Sequence, residues 1–138
     1  MIKKNPLVFT MQTEIVCLSR PVQFTACRYA DTWFIIITDS NQLGTIINLN
    51  REDALDEDSD IDPKIVFGYS DKSDSFEIMA NMLYQSIRNN KKAAELTGTH
   101  RILVSYCIKS NETDSELPWK AIIESYPQFI DGLVGYFC

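Results

Sequence analysis

Carboxylates are the most concentrated reactive groups in this sequence, and they lie between residues 52 and 62. Spaced carboxylates can coordinate calcium, and Asp56, Asp58 and Asp60 match the first three ligand positions of a calcium-binding loop. The match then fails, because the sixth position is Ile61 where glycine is needed and the twelfth is Phe67 where glutamate is needed. We therefore predict a flexible, hydrated acidic loop over residues 51–63 and no metal site.

This acidic segment also dominates the charge of the chain. Without its seven acids the formal net charge would change from −6 to +1. The seven are Glu52, Asp53, Asp56, Glu57, Asp58, Asp60 and Asp62. The rest of the chain is nearly neutral and has no cluster of Lys and Arg, so we predict no nucleic-acid partner.

Side chains that support catalysis are sparse. The single histidine, His100, lies in the turn-like stretch GTHR, and neither a G-x-S-x-G elbow nor a glycine-rich phosphate loop is present. A role for His100, Asp31 or Asp39 would require a deep pocket in which they converge. We predict a protein with no catalytic residue and no cofactor, hence not an enzyme.

The four cysteines show no spacing typical of metal ligands. Cys17, Cys27 and Cys107 fall in apolar, strand-like runs, so we predict small core residues in a reducing compartment. The longest apolar run, WFIII, is shorter than the ~18 residues of a membrane span, and the N-terminus lacks a signal-peptide pattern. We expect no membrane partner and a cytoplasmic location, with the nucleus as a second one.

Runs rich in β-branched and aromatic residues predict six strands. They are LVFTMQTEIVCL, VQFTACRYA, TWFIIIT, GTIINLN, KIVFGY and RILVSYCI. In VQFTA, apolar Val22, Phe24 and Ala26 alternate with polar residues, which predicts a strand with one covered face. TWFIIIT is apolar on both faces, so we place it centrally, and we expect a hairpin between it and GTIINLN within an antiparallel meander.

Helical periodicity begins at residue 74. Phe76, Met79, Leu83 and Ile87 recur at helical spacing in one predicted helix over 74–96, after which RILVSYCI returns to the sheet by a crossover. A second helix is predicted in SELPWKAIIESY, ended by Pro127, with a short turn in the apolar tail.

These elements predict an α+β fold, with a mainly antiparallel sheet or sandwich of about six strands and two or three helices packed on it. We expect a single domain over 1–138, with the acidic loop at 51–63 and a C-terminal extension at 115–138.

Several stretches of the sequence resemble the proteasome assembly chaperone 3 family. The resemblance lies in the P-L-V start of NPLVFTMQTEIVC, in its T-E-I-V-C strand and in the L-G-T-I-I strand after WFIIIT. It covers most of residues 5–110. The resemblance implies a non-enzymatic chaperone for assembly of the proteasome core particle alpha ring, working as a homodimer or as a heterodimer with a chaperone 4-like partner.

A dimer of this family needs apolar surface, and we predict that the first helix and the strand RILVSYCI supply it. The candidate interface residues are Met79, Met82, Leu83, Tyr84 and Tyr106. The candidate client-binding residues, which would meet a basic patch on an alpha subunit, are Asp56, Glu57, Asp58 and Asp60 in the acidic loop.

Some features depart from the family. The acidic loop is longer, and residues after Ser115 extend past the usual end. The tail Tyr136-Phe137-Cys138 only approximates the hydrophobic-tyrosine-any tail that other proteasome binders insert between alpha subunits, since Phe137 lacks the hydroxyl. An alternative function is a general protein-interaction or trafficking scaffold that uses the same helix face.

Overall fold

Six strands and four helices follow one another in the part of the chain that the structure describes. The structure is a computed structural model, and it describes residues 8–17, 20–29, 32–40, 42–49, 64–68, 73–98, 101–108 and 118–137. The strands are β1 (Val8–Cys17), β2 (Arg20–Tyr29), β3 (Thr32–Thr38), β4 (Thr45–Leu49), β5 (Lys64–Phe67) and β6 (Arg101–Cys107). The helices are α1 (Ser73–Asn89), α2 (Lys91–Thr97), α3 (Pro118–Glu124) and α4 (Tyr126–Phe137).

The strands form one mixed sheet in the order β1-β2-β3-β6-β4-β5. Every neighbouring pair is antiparallel except β3 and β6, which run parallel. The predicted α+β class with a mainly antiparallel sheet is confirmed, and β3 lies in the middle of the sheet as expected. The described strands form a single sheet and not a sandwich.

The predicted hairpin between β3 and β4 is wrong, because β6 lies between them. β6 pairs in parallel with β3 and antiparallel with β4. A parallel neighbour requires a long crossover connection, and the α1–α2 segment lies in the connection that returns β6 to the sheet, as predicted. Local turn residues favoured a hairpin, but the strongly apolar β6 gains more burial at the centre of the sheet than at an edge.

One face of the sheet carries the core. Its residues alternate along each strand, and the central ones are fully or almost fully buried: Val22, Phe24, Ala26, Trp33, Ile35, Ile37, Ile102, Val104 and Tyr106. All four helices add side chains to the same cluster, among them Phe76, Ala93, Ile122 and Phe129. The alternation read from VQFTA is therefore confirmed, and the helices all lie on this side.

Two helical predictions need correction. The helix expected over 74–96 is divided at Asn90, whose backbone is extended and whose side-chain oxygen accepts a hydrogen bond from the Ala93 amide. Asn and Asp form such caps readily, and this cap starts α2. The tail expected as a short turn is the 12-residue helix α4. α4 begins next to Pro127, because proline fits the first helical turn.

A buried polar chain ties the helices to the sheet. The Tyr106 hydroxyl on β6 lies 2.7 Å from the Tyr126 hydroxyl, which donates to the Met79 carbonyl on α1 at 3.2 Å. Tyr126 therefore accepts from Tyr106. Burial first, and then the neighbouring Tyr126 hydroxyl, raise the pKa of Tyr106 well above its ordinary value. β6, α1 and α4 are thus joined at one point inside the core.

Candidate interaction surface on the open sheet face

The face of the sheet opposite the helices is the candidate functional site, and we call it the open face. Cross-strand pairing arranges its side chains in rows. The first row is Thr10, Cys27, Phe34, Leu103, Asn48 and Lys64. The second is Gln12, Thr25, Ile36, Ser105, Ile46 and Phe67. The third is Glu14, Gln23, Thr38 and Cys107.

The open face divides into two halves of different chemistry. A polar half lies on β1 and β2 and consists of Thr10, Gln12, Glu14, Gln23 and Thr25. An apolar half lies on β3, β6, β4 and β5 and consists of Phe34, Ile36, Leu103, Ile46 and Phe67. Phe67 is 69% exposed, and the other four are half-buried. Four polar residues, Thr38, Ser105, Asn48 and Lys64, lie among these five on the same strands. The solvated face of a sheet normally carries polar residues, so a cluster of five large apolar side chains there indicates a surface that binds another molecule.

A bulge on β5 brings Phe67 to this face. Ile47 pairs with Ile65 and Ile46 pairs with Phe67, so Val66 is the extra residue between the two pairs. An extra residue shifts the alternation by one position. In a regular strand Ile65 and Phe67 would share one face. With the extra residue they lie on opposite faces, and Ile65 packs against the core.

Two glycines fix the backbone at the start of β4 and at the end of β5. A Cβ on Gly44 would meet the Tyr106 carbonyl, and the Gly44 amide donates to the Ser105 hydroxyl at 3.1 Å. Gly68 has a φ of +80°, which glycine adopts without strain, and its carbonyl accepts from the Thr45 hydroxyl at 2.6 Å. The G-T pair of the L-G-T-I-I stretch therefore fixes how β4 enters the sheet beside β6.

Two cysteines predicted as core residues lie on the open face instead. Cys27 and Cys107 are free thiols and half-buried. The Thr10 hydroxyl donates to the Cys27 sulfur at 3.8 Å, and the Ser40 hydroxyl lies 3.4 Å from the Cys107 sulfur. Cys27 and Cys107 directly follow Ala26 and Tyr106, which are buried. The two-residue period of a strand therefore places both thiols on the opposite face. The Cys17 side chain and Cys138 lie outside the described part of the structure.

The predicted interface residues on α1 and β6 face mainly inward. Met79, Leu83 and Tyr106 are fully buried by this chain's own elements, Tyr84 is 5% exposed and Met82 is 41% exposed. Their helical stripe covers the sheet, because that stripe is what makes α1 amphipathic. Only Met82 of the five is exposed to a partner, so where the interface lies remains a prediction. The client-binding residues Asp56, Glu57, Asp58 and Asp60 lie outside the described residues.

Sequence reasoning missed the apolar half of the open face, although the signal was present. The second apolar set in TWFIIIT, Phe34 and Ile36, was assigned to burial within the sheet. The described helices lie on the other face, and these two side chains are partly exposed.

Only some of the catalytic and tail candidates lie in the described part of the chain. Asp39 is half-buried, while Asp31 and His100 lie outside the described residues. Phe137 packs edge-on against Trp33 with ring centroids 4.9 Å apart, so this tail residue is docked on its own domain. In the described residues, no group of three or more His, Cys, Asp or Glu side chains is placed to hold a metal ion. No described helix is long and apolar enough to cross a membrane.

Comparison with known proteins identifies the fold. No protein-family model matches the chain, and no curated protein matches its sequence. Among solved structures, it is similar to a chain in the crystal structure of a novel chaperone complex for yeast 20S proteasome assembly, with a TM-score of 0.52 and 12% identity. The match covers 89% of this chain and 98% of that one. The two chains therefore share a fold across nearly their whole length.

Proposed function

We propose that this chain is a non-enzymatic chaperone for assembly of the proteasome core particle, acting on the alpha ring. The observation that carries the proposal is the shared fold with a chain of a yeast proteasome assembly chaperone complex over 89% of this chain. The sequence resemblance to the proteasome assembly chaperone 3 family supports the same role independently of the structure.

The chaperone works as a pair, and the open face is its pairing surface. Pairing covers Phe34, Ile36, Leu103 and their apolar neighbours with the same face of a second chain, either another copy or a chaperone 4-like relative. Two sheets stacked face to face interdigitate their side chains into a shared layer ~10 Å thick. Burial of apolar area on both sides supplies the free energy of association.

The acidic loop is the proposed contact for the client. Asp56, Glu57, Asp58 and Asp60 lie within the segment that gives the chain its negative charge. Such charges accelerate encounter with a basic patch on an alpha subunit, and they act most strongly at low salt. Replacing these four with Asn or Gln should slow capture of alpha subunits at low salt, and an unchanged association rate would exclude the loop from capture.

Reconstitution with purified alpha subunits tests the function. We expect the wild-type chain, together with its pairing partner, to increase the yield of complete alpha rings in a time course followed by native electrophoresis. The matched variant is Phe67→Lys, which places a charge on the most exposed apolar side chain of the open face. Equal ring yields with wild-type chain, with the variant and with no added chain would refute the chaperone role.

A further inference from the structure

The two edges of the sheet are built differently. β5, the outermost described strand on one side, has four residues, a bulge at Val66 and an exposed lysine, Lys64. Short length, a bulge and charged side chains are features that keep an edge strand from pairing with another chain. β1, the outermost described strand on the other side, has ten residues that pair with β2 in one unbroken register. Of these protective features, β1 has only a single charge, Glu14.

The outer side of β1 offers backbone groups for pairing. A strand directs its N–H and C=O groups to both sides, and β2 takes those of one side only. In the described part of the chain, no backbone group of another strand or loop bonds to the other side. Ten residues at ~3.4 Å each make this edge ~34 Å long. Such an edge can bind an extended peptide by strand addition, in which main-chain hydrogen bonds supply the affinity.

The side chains of β1 define what fits beside it. Met11 and Ile15 lie on the covered face and are almost fully buried, where α3 and α4 contact β1. Thr10, Gln12 and Glu14 lie on the open face and are exposed. Residues that lie directly opposite each other in neighbouring strands share a face. A strand added beside β1 therefore needs apolar residues on the helix side, alternating with polar residues on the open side.

Glu14 sets the preferred charge of this added strand. Its neighbour on β2 is the uncharged Gln23, which accepts a hydrogen bond from the Gln12 side chain at 3.0 Å. A Lys or Arg opposite Glu14 on the outer side would form an opposite-charge pair, whereas Asp or Glu there would be repelled. A second copy of this chain is poorly suited, because β1 has no Lys or Arg, and β5 with its Lys64 is short and bulged. The charge therefore favours a segment of another protein.

We propose that β1 is a docking edge for an extended segment of another protein, which adds to the sheet as a further strand. The segment alternates apolar with polar residues and carries a Lys or Arg opposite Glu14. Docking uses the backbone edge of β1 and leaves the apolar half of the open face, on β3, β6, β4 and β5, uncovered. It is therefore independent of the proposed pairing.

Fluorescence anisotropy with the full chain tests the docking edge. The probe is a labelled decapeptide that alternates valine with threonine and has lysine at its central polar positions. We expect saturable binding. Binding should be lost when every second amide, on the peptide edge that faces β1, is N-methylated, because docking uses main-chain hydrogen bonds. Hydrogen–deuterium exchange locates the peptide, and it should slow exchange of amides in β1 and not in β5.

A charge swap tests the role of Glu14. Glu14→Gln should weaken binding of the lysine peptide about 1.4- to 5-fold, the equivalent of one exposed charge pair. Glu14→Lys should weaken it further and should favour a peptide with glutamate in place of lysine. Lys64→Glu is the matched control, since it changes a charge on the opposite edge, and it should leave peptide binding unchanged.

Three results would overturn the docking edge. They are failure of the lysine peptide to bind the wild-type chain, equal binding of the N-methylated peptide, and slowed exchange in β5 without any in β1. Equal affinity of the two Glu14 variants for the lysine and glutamate peptides would overturn the charge requirement. None of these results bears on the alpha-ring assay, so failure of this proposal is distinguishable from failure of the proposed function.

Discussion

The two faces of the sheet contain similar residues and have different environments. Phe24 and Phe34 lie on adjacent strands. Phe24 is fully buried, with its ring centroid 5.1 Å from that of Phe129, while Phe34 is half-buried on the face that the described helices leave uncovered. The covered face is completed by this chain, whereas the open face is completed by a second molecule in our proposal. Apolar content alone therefore does not distinguish a folding core from a binding surface. The two are distinguished by which face the helices cover.

The phenylalanine pair should give the largest contrast. Phe24→Ala removes a fully buried ring and should lower the free energy of unfolding by about 3–5 kcal/mol. Phe34→Ala should lower the free energy of unfolding of the unpaired chain by less than half as much, because the Phe34 ring is already partly solvated. Chemical denaturation at low chain concentration measures both. Equal losses would mean that the open face belongs to the folding core.

Gly44 tests how closely β4 must approach β6. Gly44→Ala would place a Cβ against the Tyr106 carbonyl and 2.9 Å from the Cys107 Cβ, so β4 must shift away from β6. Overpacking of this kind typically costs about 1–3 kcal/mol or more. Thermal unfolding would measure the loss. Gly132→Ala is the control, since a Cβ there meets nothing within 4 Å, and it should be tolerated.

Tyr106→Phe removes one hydrogen bond from the covered face. The Tyr126 oxygen then loses the hydrogen bond that Tyr106 donates, and we expect the free energy of unfolding to fall by about 1–3 kcal/mol at neutral pH. The raised pKa of Tyr106 adds a pH signature. Its contribution is fully present below the unfolded pKa of about 10 and is lost as the pH rises toward the folded value, because the unfolded chain releases this proton first.

The stability difference between wild type and Tyr106→Phe should thus be constant below pH 10 and shrink above it. Urea titrations at a series of pH values measure this difference. A gap that widens above pH 10 would contradict the direction of the pKa shift.

Met82 should give the smallest effect. It is the exposed member of the interface predicted on α1, and Ile78 is exposed one turn before it. If pairing uses the open face, Met82→Lys should change the free energy of unfolding by no more than about 0.5 kcal/mol. Self-association should stay unchanged. Loss of pairing in this variant, with Phe67→Lys unaffected, would move the interface to the helix layer.

Much of the fold could be predicted from residue patterns, because local periodicity is set by which face is covered. β2, β3, β6 and the first helix followed from spacing alone. The position of β6 between β3 and β4 could not be predicted, because it depends on competition among strands for the sheet centre. The helix break at Asn90 was also missed, since Asn is tolerated inside helices as well as at caps.

The candidate surface was harder to predict than the fold. A half-buried residue such as Ile36 has the same sequence signature as a core residue. Met79 and Leu83 were predicted at an interface because a helical stripe looks the same whether it covers its own sheet or a partner. The structure separates these cases by showing which face the helices cover.

Cysteine labelling tests the central claim most directly, because Cys27 and Cys107 both lie on the open face and are free. The measurement is the rate at which each thiol reacts with iodoacetamide as chain concentration rises, resolved by peptide mass spectrometry. Pairing through the open face predicts that both rates fall together as the dimer forms. Labelling rates that stay constant while the molar mass of the particle in solution doubles would show that the two chains meet elsewhere.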